Sequence, residues 1–200
     1  MIAVLLPPPL GRPSRLPGLA EELADRGVIP IRPEAGGDED PPHAARYVAR
    51  ASMEINRLVA AASPVALVGE GDAGPLVGAV GAAQRAAHRP VFGYVLVDAL
   101  LPQPGSPTRA ELERAQSPAG AEGEGGGDRR RSDEPPAYRS ERLPMVADWP
   151  DAPCGYLLTD PARAHVARLA RMRGWSVRET APEGAAEALG ELLTELRGRD

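Results

Sequence analysis

Two carboxylates separated by one glycine are the residues whose types and spacing best suit chemistry in this chain. Glu70 and Asp72 lie in the segment GEGDAG (69–74), which directly follows the apolar run 65–68. An apolar run that stops at a Gly-rich turn predicts a buried strand ending there. Ligands of open α/β sheets bind at the carboxyl ends of strands, so one functional interpretation is that Glu70 or Asp72 acts as a general acid or base beside a pocket. The structural alternative is that these acids complement the positive end of the following helix.

Composition limits the classes of protein that this chain can belong to. It has 200 residues, of which 42 % are hydrophobic and 4 % aromatic, which suits one domain with a single core. The net charge is −5 and no basic patch is interleaved with aromatic residues, so we expect no nucleic-acid binding. Cys154 is the only cysteine, which excludes an intrachain disulfide and a Cys-x-x-Cys metal site. We predict that Cys154 is a small buried core residue.

The histidines are too scattered to form a metal set with readable spacing, and we expect each to be a surface or capping residue: His43, His88 and His165. We therefore predict no metal and no cofactor. The apolar run 2–6 has no basic segment before it and stops at Pro7, which is unlike a signal peptide. No apolar stretch approaches the roughly 20 residues that span a bilayer. These features predict a cytoplasmic protein without a membrane contact.

Alternating strands and helices predict the fold class. Short apolar runs predict strands at 2–6, 28–31, 65–68, 91–96, 154–158 and 176–179. Helical spacing of apolar residues predicts helices at 16–26, 43–62, 75–87, 161–173 and 183–197. Strands that alternate with helices of this length imply an α/β fold, with one parallel sheet of about six strands and helices on both faces.

Residues 105–142 interrupt this alternation. They are rich in Gly, Pro, Ser and charged residues and contain few large apolar ones. We predict one domain over 1–200 in which 105–142 is a flexible insert, with a short helix at 108–115. Segment 117–136 cannot bury enough apolar surface to offset its ordering entropy, so we expect it to be disordered.

Three segments resemble small actinobacterial members of the α/β-hydrolase family. LVGEGDAGPL (67–76) is similar to the LVGHSGAGPL elbow of that group, in which the nucleophilic serine lies on a sharp strand-to-helix turn. YVLVDALLP (94–102) resembles the next strand, and WPDAPCGYLL (149–158) resembles the strand before the acid-bearing turn. Their order and spacing cover nearly the whole chain apart from 105–142. The resemblance implies an α/β-hydrolase-like fold with a reduced lid.

The chain departs from this family at the catalytic positions. The family uses a Ser, an Asp or Glu and a His in that order. Gly71 occupies the serine position, and 180–185, where the resemblance places the histidine, reads TAPEGA. The acid has counterparts in Asp98 or Asp160. The chain therefore resembles a degenerate member that lacks the nucleophilic Ser and the catalytic His.

The predicted oxyanion hole is compromised as well. One of its donors is usually the residue after the nucleophile, which here is Asp72, whose carboxylate would repel an oxyanion. The other donors come from the loop after the first strand, which begins with three prolines (7–9) that have no N–H.

These observations leave three functional readings open. The first is a catalytically degenerate protein that binds a small organic ligand or a partner protein and does not hydrolyse esters. The alternative is a cofactor-independent, non-hydrolytic enzyme of a bacterial natural-product pathway that uses Asp72 or Glu70 as acid or base. The third is a regulatory subunit of a homologue that keeps its triad, which would make the chain part of a homo- or hetero-oligomer.

The site residues that follow from these readings fall into two groups. The candidate catalytic residues are Asp72, Glu70 and Asp98. The candidate ligand-binding residues are Pro8, Leu10, Gly71, Asp72 and Trp149. For Trp149, packing is the structural alternative. The spacing of Gly69, Gly71 and Gly74 also matches the dinucleotide-binding pattern G-x-G-x-x-G, but Glu70 and Asp72 would oppose a pyrophosphate, so we expect these glycines to serve the tight turn.

Overall fold

Six strands form one parallel sheet in the order β2-β1-β3-β4-β5-β6. The computed structural model describes residues 1–117, 134–144 and 146–199. The strands are β1 (Ile2–Leu6), β2 (Ile29–Ile31), β3 (Val65–Glu70), β4 (Val91–Val97), β5 (Cys154–Leu158) and β6 (Ser176–Glu179). The predicted α/β class with about six parallel strands is confirmed.

Helices cover both faces of this sheet. The helices of the described residues are α1 (Leu19–Asp25), α2 (His43–Leu58), α3 (Val77–Ala86), α4 (Arg109–Gln116), α5 (Ala164–Met172) and α6 (Ala185–Arg197). In β4, Tyr94 and Leu96 pack toward α2, α3 and α5, whereas Val95 and Val97 pack toward α1 and α6. The strand is therefore apolar on both sides, as a buried parallel sheet requires. Among these helices, none is long and apolar enough to cross a membrane.

Most predicted element bounds are close to the observed ones, and the differences have local causes. Helix α1 begins three residues later than predicted, because Leu16 and Pro17 form a turn in which Leu19 N donates to Leu16 O at 3.2 Å. Helix α2 ends at Leu58, after which Val59 is extended. Strand β3 continues through Glu70, and Gly71–Leu76 form a 3-10 segment, so α3 begins only at Val77.

The described parts of the insert pack against the body of the domain. Helix α4 begins after Thr108, which forms a capping box with Glu111 and so satisfies free N–H groups at this helix end. Leu112 on α4 and Tyr138 beyond it are both buried. Most of segment 117–136, which we predict to be disordered, lies outside the described residues, at 118–133.

A buried arginine fixes the C-terminal end of α2. Arg89 is 2 % exposed and donates to the carbonyl oxygens of Ala60 (2.5 Å) and Val59 (2.8 Å). It also donates to Gln84 Oε1 at 2.8 Å and to Asn56 Oδ1 at 3.3 Å. A helix end leaves its last carbonyls without intrahelical donors, and the guanidinium fork supplies donors there.

We expect Arg89→Met to destabilise the domain by at least about 2 kcal/mol, because each buried carbonyl left without a donor costs roughly 1–3 kcal/mol. Urea unfolding followed by circular dichroism measures this change. The control is Arg57→Met. Arg57 is an exposed arginine on α2 that pairs with Glu54 of the same helix, so its replacement should leave the unfolding midpoint nearly unchanged. Equal midpoints for both variants would contradict this role of Arg89.

Candidate functional site

The turn between β3 and α3 has the conformation of a strand-to-helix elbow, with a glycine at its apex. Gly71 has φ +53°, and a Cβ placed on it would meet nothing within 4 Å. Its neighbours are tightly packed: a Cβ on Gly69 would lie 2.3 Å from Val77 Cγ2, and one on Gly74 would lie 2.4 Å from Ala99 Cβ. Gly69 and Gly74 therefore serve close packing of the turn, whereas Gly71 has room for a side chain.

Glu70 fastens the β1–α1 loop to the end of β3. Its carboxylate accepts hydrogen bonds from Ser14 Oγ and from Arg15 N, each at 2.6 Å. Ser14 Oγ in turn accepts from Leu16 N at 3.0 Å. Both carboxylate oxygens accept a hydrogen bond from the loop, so Glu70 is engaged in holding this loop.

Asp72 pairs with an arginine from the same loop. Arg12 Nη1 lies 2.9 Å from Asp72 Oδ2, and Arg12 Nη2 lies 2.9 Å from Glu134 Oε1 in the insert. The Tyr138 hydroxyl is 3.5 Å from Asp72 Oδ2, and Arg109 Nη1 donates to the Asp72 carbonyl at 2.8 Å. Partial burial by itself lowers the pKa of Arg12, but Glu134 and Asp72 outweigh it and the pKa is raised. Asp72 therefore joins the loop, the turn and the insert.

Two backbone amides of the loop after β1 are bonded within the protein. Leu10 N, the first amide after the three prolines, donates to Asp38 Oδ2 at 2.9 Å. Arg12 N donates to Pro9 O at 3.4 Å, and the Tyr47 hydroxyl donates to Pro7 O at 2.6 Å. Leu10 N and Arg12 N are thus already engaged as donors.

Asp98 lies at the carboxyl end of β4 and links it to the end of β5. It has φ +48° and is 5 % exposed. Its carboxylate accepts from Thr159 N at 2.8 Å, from Thr159 Oγ1, and from Asp160 N at 3.1 Å. Asp160 pairs with Arg15 at 3.0 Å. Both candidate acids are therefore present at the expected edge of the sheet, in contacts that hold the strand ends and the β1–α1 loop together.

A cavity of 670 Å³ lies beside the turn, under the β1–α1 loop. Its apolar lining comes from β1, the end of the β1–α1 loop, α1, β3 and β4: Leu5, Leu6, Leu16, Leu19, Ala20, Val68 and Val97. The rest of the wall comes from Glu70 and from residues 7–8, 11–14 and 32–36. Of the predicted site residues, Pro8 and Glu70 line this cavity, whereas Leu10, Gly71 and Asp72 lie outside its lining.

Trp149, which we predict as a ligand-binding residue, packs on the α3 face of the sheet. Its ring lies 5.8 Å from that of Tyr94 and 5.6 Å from that of Trp175, both edge to face. It also covers Gly78, where an added Cβ would lie 2.9 Å from the indole ring. The structure places Trp149 among packing contacts and not in the lining of the cavity.

The histidines differ in their placement. The prediction of a surface or capping role is wrong for His43, which is 1 % exposed because the loop before α2 folds against it. His43 Nδ1 lies 2.7 Å from the Asp38 carbonyl oxygen, and its ring contacts Tyr138 edge to face at 5.7 Å. His88 is exposed, as predicted. Burial and the charge of Arg163 lower the pKa of His165, which is half-buried on α5.

Sequence reasoning missed the residues that surround the turn: Arg12, Asp38, His43, Arg109 and Tyr138. Tyr138 was the available signal, because a large aromatic residue in a polar insert of an aromatic-poor chain suggests a docking point. The others are charged or polar residues in loops, and their types alone do not show that they are buried. Within the described part of the chain, no three or more His, Cys, Asp or Glu residues are grouped to hold a metal ion.

Comparison with known proteins identifies the fold. No protein-family model matches the chain, and no curated protein matches it. Among solved structures, it is similar to an extracellular α/β-hydrolase from a Paenibacillus species, with 13 % identity, 98 % of each chain covered and a TM-score of 0.60. Est1E from Butyrivibrio proteoclasticus is 14 % identical over 98 % of this chain and 88 % of that one, with a TM-score of 0.60.

A thioesterase structure gives the same result. The Vlm2 thioesterase domain is 16 % identical over 97 % of this chain and 92 % of that one, with a TM-score of 0.55. At these identities the likeness shows the fold alone. The chain has an α/β-hydrolase-like fold.

We expect Gly71→Ser to fold and to remain inactive toward esters. Its φ of +53° makes a serine cost about 1–2 kcal/mol, but the side chain has room. No histidine follows β6 in 180–185, so the added hydroxyl lacks the base that would activate it. The measurements are the urea midpoint and the release of p-nitrophenol from p-nitrophenyl acetate.

Gly69→Ser is the matched control for this substitution. It should destabilise the domain more than Gly71→Ser does, because the added Cβ would overlap Val77. Ester turnover by Gly71→Ser above the rate of the unaltered protein would show that another residue serves as base for position 71.

The reactivity of the Cys154 thiol tests the prediction that Cys154 is a buried core residue. Burial raises the pKa of Cys154 from 9.0 to about 12, with a smaller contribution from Asp151. Because the thiolate is the reactive form, its fraction at pH 8 falls about a thousandfold relative to a free thiol. We expect iodoacetamide to alkylate the native protein at least about a hundredfold more slowly than the urea-unfolded protein. Equal rates, followed by mass spectrometry, would contradict a buried core role for this thiol.

Proposed function

We propose that this protein binds a small, largely apolar organic molecule in the cavity beside the β3–α3 turn and does not hydrolyse esters. The single observation that carries the proposal is this 670 Å³ cavity at the carboxyl edge of the sheet, next to a turn whose nucleophile position holds Gly71. A cavity of roughly 300–1,000 Å³ with an apolar lining and a few polar groups is typical of small-molecule sites.

The lining supports an apolar ligand with a polar end. Leucines, alanine and valines form the wall against the sheet and α1, while Arg12, Ser14 and Glu70 lie at the loop. Glu70 is already bonded to Ser14 and to Arg15 N, so it shapes the wall and keeps the loop in place. The ligand would gain affinity mainly through burial of its apolar surface.

Three features support the loss of acyl transfer. Gly71 offers no nucleophile, segment 180–185 has no histidine, and Leu10 N is bonded to Asp38. Each of these is a separate component of the serine-hydrolase mechanism. We therefore propose a degenerate member of the α/β-hydrolase fold that keeps the scaffold for binding.

The acid–base alternative has less support from the geometry. A general base needs a carboxylate that is free to accept a proton from a ligand. Glu70 already accepts two short hydrogen bonds, and Asp72 is paired with Arg12. Neither Gly71 nor Asp72 lines the cavity.

The proposal predicts that Nile red, an apolar dye, binds the protein with a stoichiometry of one and that Leu19→Trp weakens this binding by about tenfold or more. The indole would occupy the cavity that Leu19 now lines, and tenfold corresponds to about 1.4 kcal/mol. Leu58→Trp is the control, because Leu58 is an exposed leucine on α2 outside the cavity. Fluorescence titration gives both dissociation constants, and circular dichroism verifies the fold.

Two outcomes would contradict the proposal. In the first, Leu19→Trp and Leu58→Trp bind the dye equally well, which places the dye elsewhere. In the second, a fluorophosphonate probe labels the unaltered protein and an ester panel is turned over, which shows a working nucleophile.

A further inference from the structure

Several buried polar atoms have no hydrogen-bond partner among the described residues, and three of them belong to residues near Tyr138 of the insert. They are Asp38 Oδ1, His43 Nε2 and Arg109 Nη2. Their residues are 0 %, 1 % and 6 % exposed, respectively. A buried polar atom without a partner costs roughly 1–3 kcal/mol, so native proteins satisfy such atoms with ordered water or a ligand. Three of them on separate elements indicate a built site.

Contacts place the three residues in one neighbourhood around Tyr138. The Tyr138 ring packs 5.7 Å from the His43 ring and 4.3 Å from Arg109 Cζ, measured to the ring centroid. Asp38 joins His43 through its carbonyl oxygen, 2.7 Å from Nδ1. Burial raises the pKa of the Tyr47 hydroxyl, and among charged groups Asp38 raises it further while Arg109 lowers it.

The hydrogen-bonding character of these atoms fits one particular occupant. The Asp38 carbonyl only accepts, so His43 Nδ1 carries a proton, and in the tautomer with a single ring proton Nε2 holds the lone pair. Asp38 Oδ1 is a second acceptor, since Oδ2 accepts from Leu10 N. Arg109 Nη2 is a donor. A water molecule, which donates twice and accepts from one or two donors, matches two acceptors and one donor.

We infer that Asp38, His43 and Arg109 hold one buried water molecule between them and that this water donates a hydrogen bond to the lone pair of His43 Nε2. Arg109 also binds the Asp72 carbonyl through Nη1, so one guanidinium links this water to the β3–α3 turn. The site is separate from the apolar cavity, whose lining contains none of the three residues.

The first test uses the full, unaltered chain. A crystal structure that resolves ordered solvent should show a water within hydrogen-bond distance of all three atoms. Nitrogen NMR of the imidazole should show His43 protonated on Nδ1 and unprotonated on Nε2 at neutral pH. Direct pairing of Arg109 with Asp38 without a water between them, or a proton on Nε2, would overturn the inference.

Variants provide an independent readout through the number of long-lived internal waters, measured by oxygen-17 relaxation dispersion. His43→Phe keeps the ring contact with Tyr138 and removes both ring nitrogens, so the count should fall by one. His165→Phe, on α5, is the matched control and should leave the count unchanged.

Arg109→Met covers the case in which His43→Phe does not fold, and it should also lower the count by one. An unchanged count in a folded Arg109→Met or His43→Phe protein would overturn the inference. None of these outcomes depends on Nile red binding, so the inference and the proposed function fail separately.

Discussion

The β1–α1 loop lies across the carboxyl edge of the sheet because two carboxylates of the β3–α3 turn hold it there. Glu70 binds Ser14 and Arg15, and Asp72 binds Arg12. The cavity lies under this loop, and its lining includes Ser14 and Arg12 from the loop as well as Leu19 and Val68. Glu70 and Asp72 therefore hold in place the loop that forms part of the cavity wall.

The same region shows how the turn depends on close packing. Gly69 lets α3 approach β3, and Gly74 lets the 3-10 segment approach Ala99 after β4, within distances that exclude a Cβ. Gly71 is different, because its φ of +53° suits glycine while its surroundings would accept a side chain. The turn is therefore fixed by the packing of its two outer glycines and by the backbone conformation of the central one.

The insert contributes to the site through its folded ends. Arg109 on α4 and Tyr138 beyond it contact Asp72 and His43, and Glu134 pairs with Arg12. These contacts join the insert to the β1–α1 loop, to the start of α2 and to the β3–α3 turn. The polar groups over the turn consequently form one connected network, which covers the turn and encloses the proposed water.

The sequence by itself determined the order of strands and helices, because hydrophobic periodicity is a local property that burial on both faces of a parallel sheet imposes. It also determined that residue 71 is a glycine and that 180–185 lacks a histidine. These are statements about residue type alone, and the likeness to solved structures supports the fold in which these residues lie.

Only the tertiary structure decided which side chains meet. Arg12 and Asp72 are 60 residues apart and Arg12 and Glu134 are 122 apart, and nothing in local spacing pairs them. The burial of His43 depends on how the loop before α2 folds and on Tyr138 reaching it across the insert. Such contacts depend on where distant segments come together, so residue type and periodicity carry no information about them, and the candidate site became visible only in three dimensions.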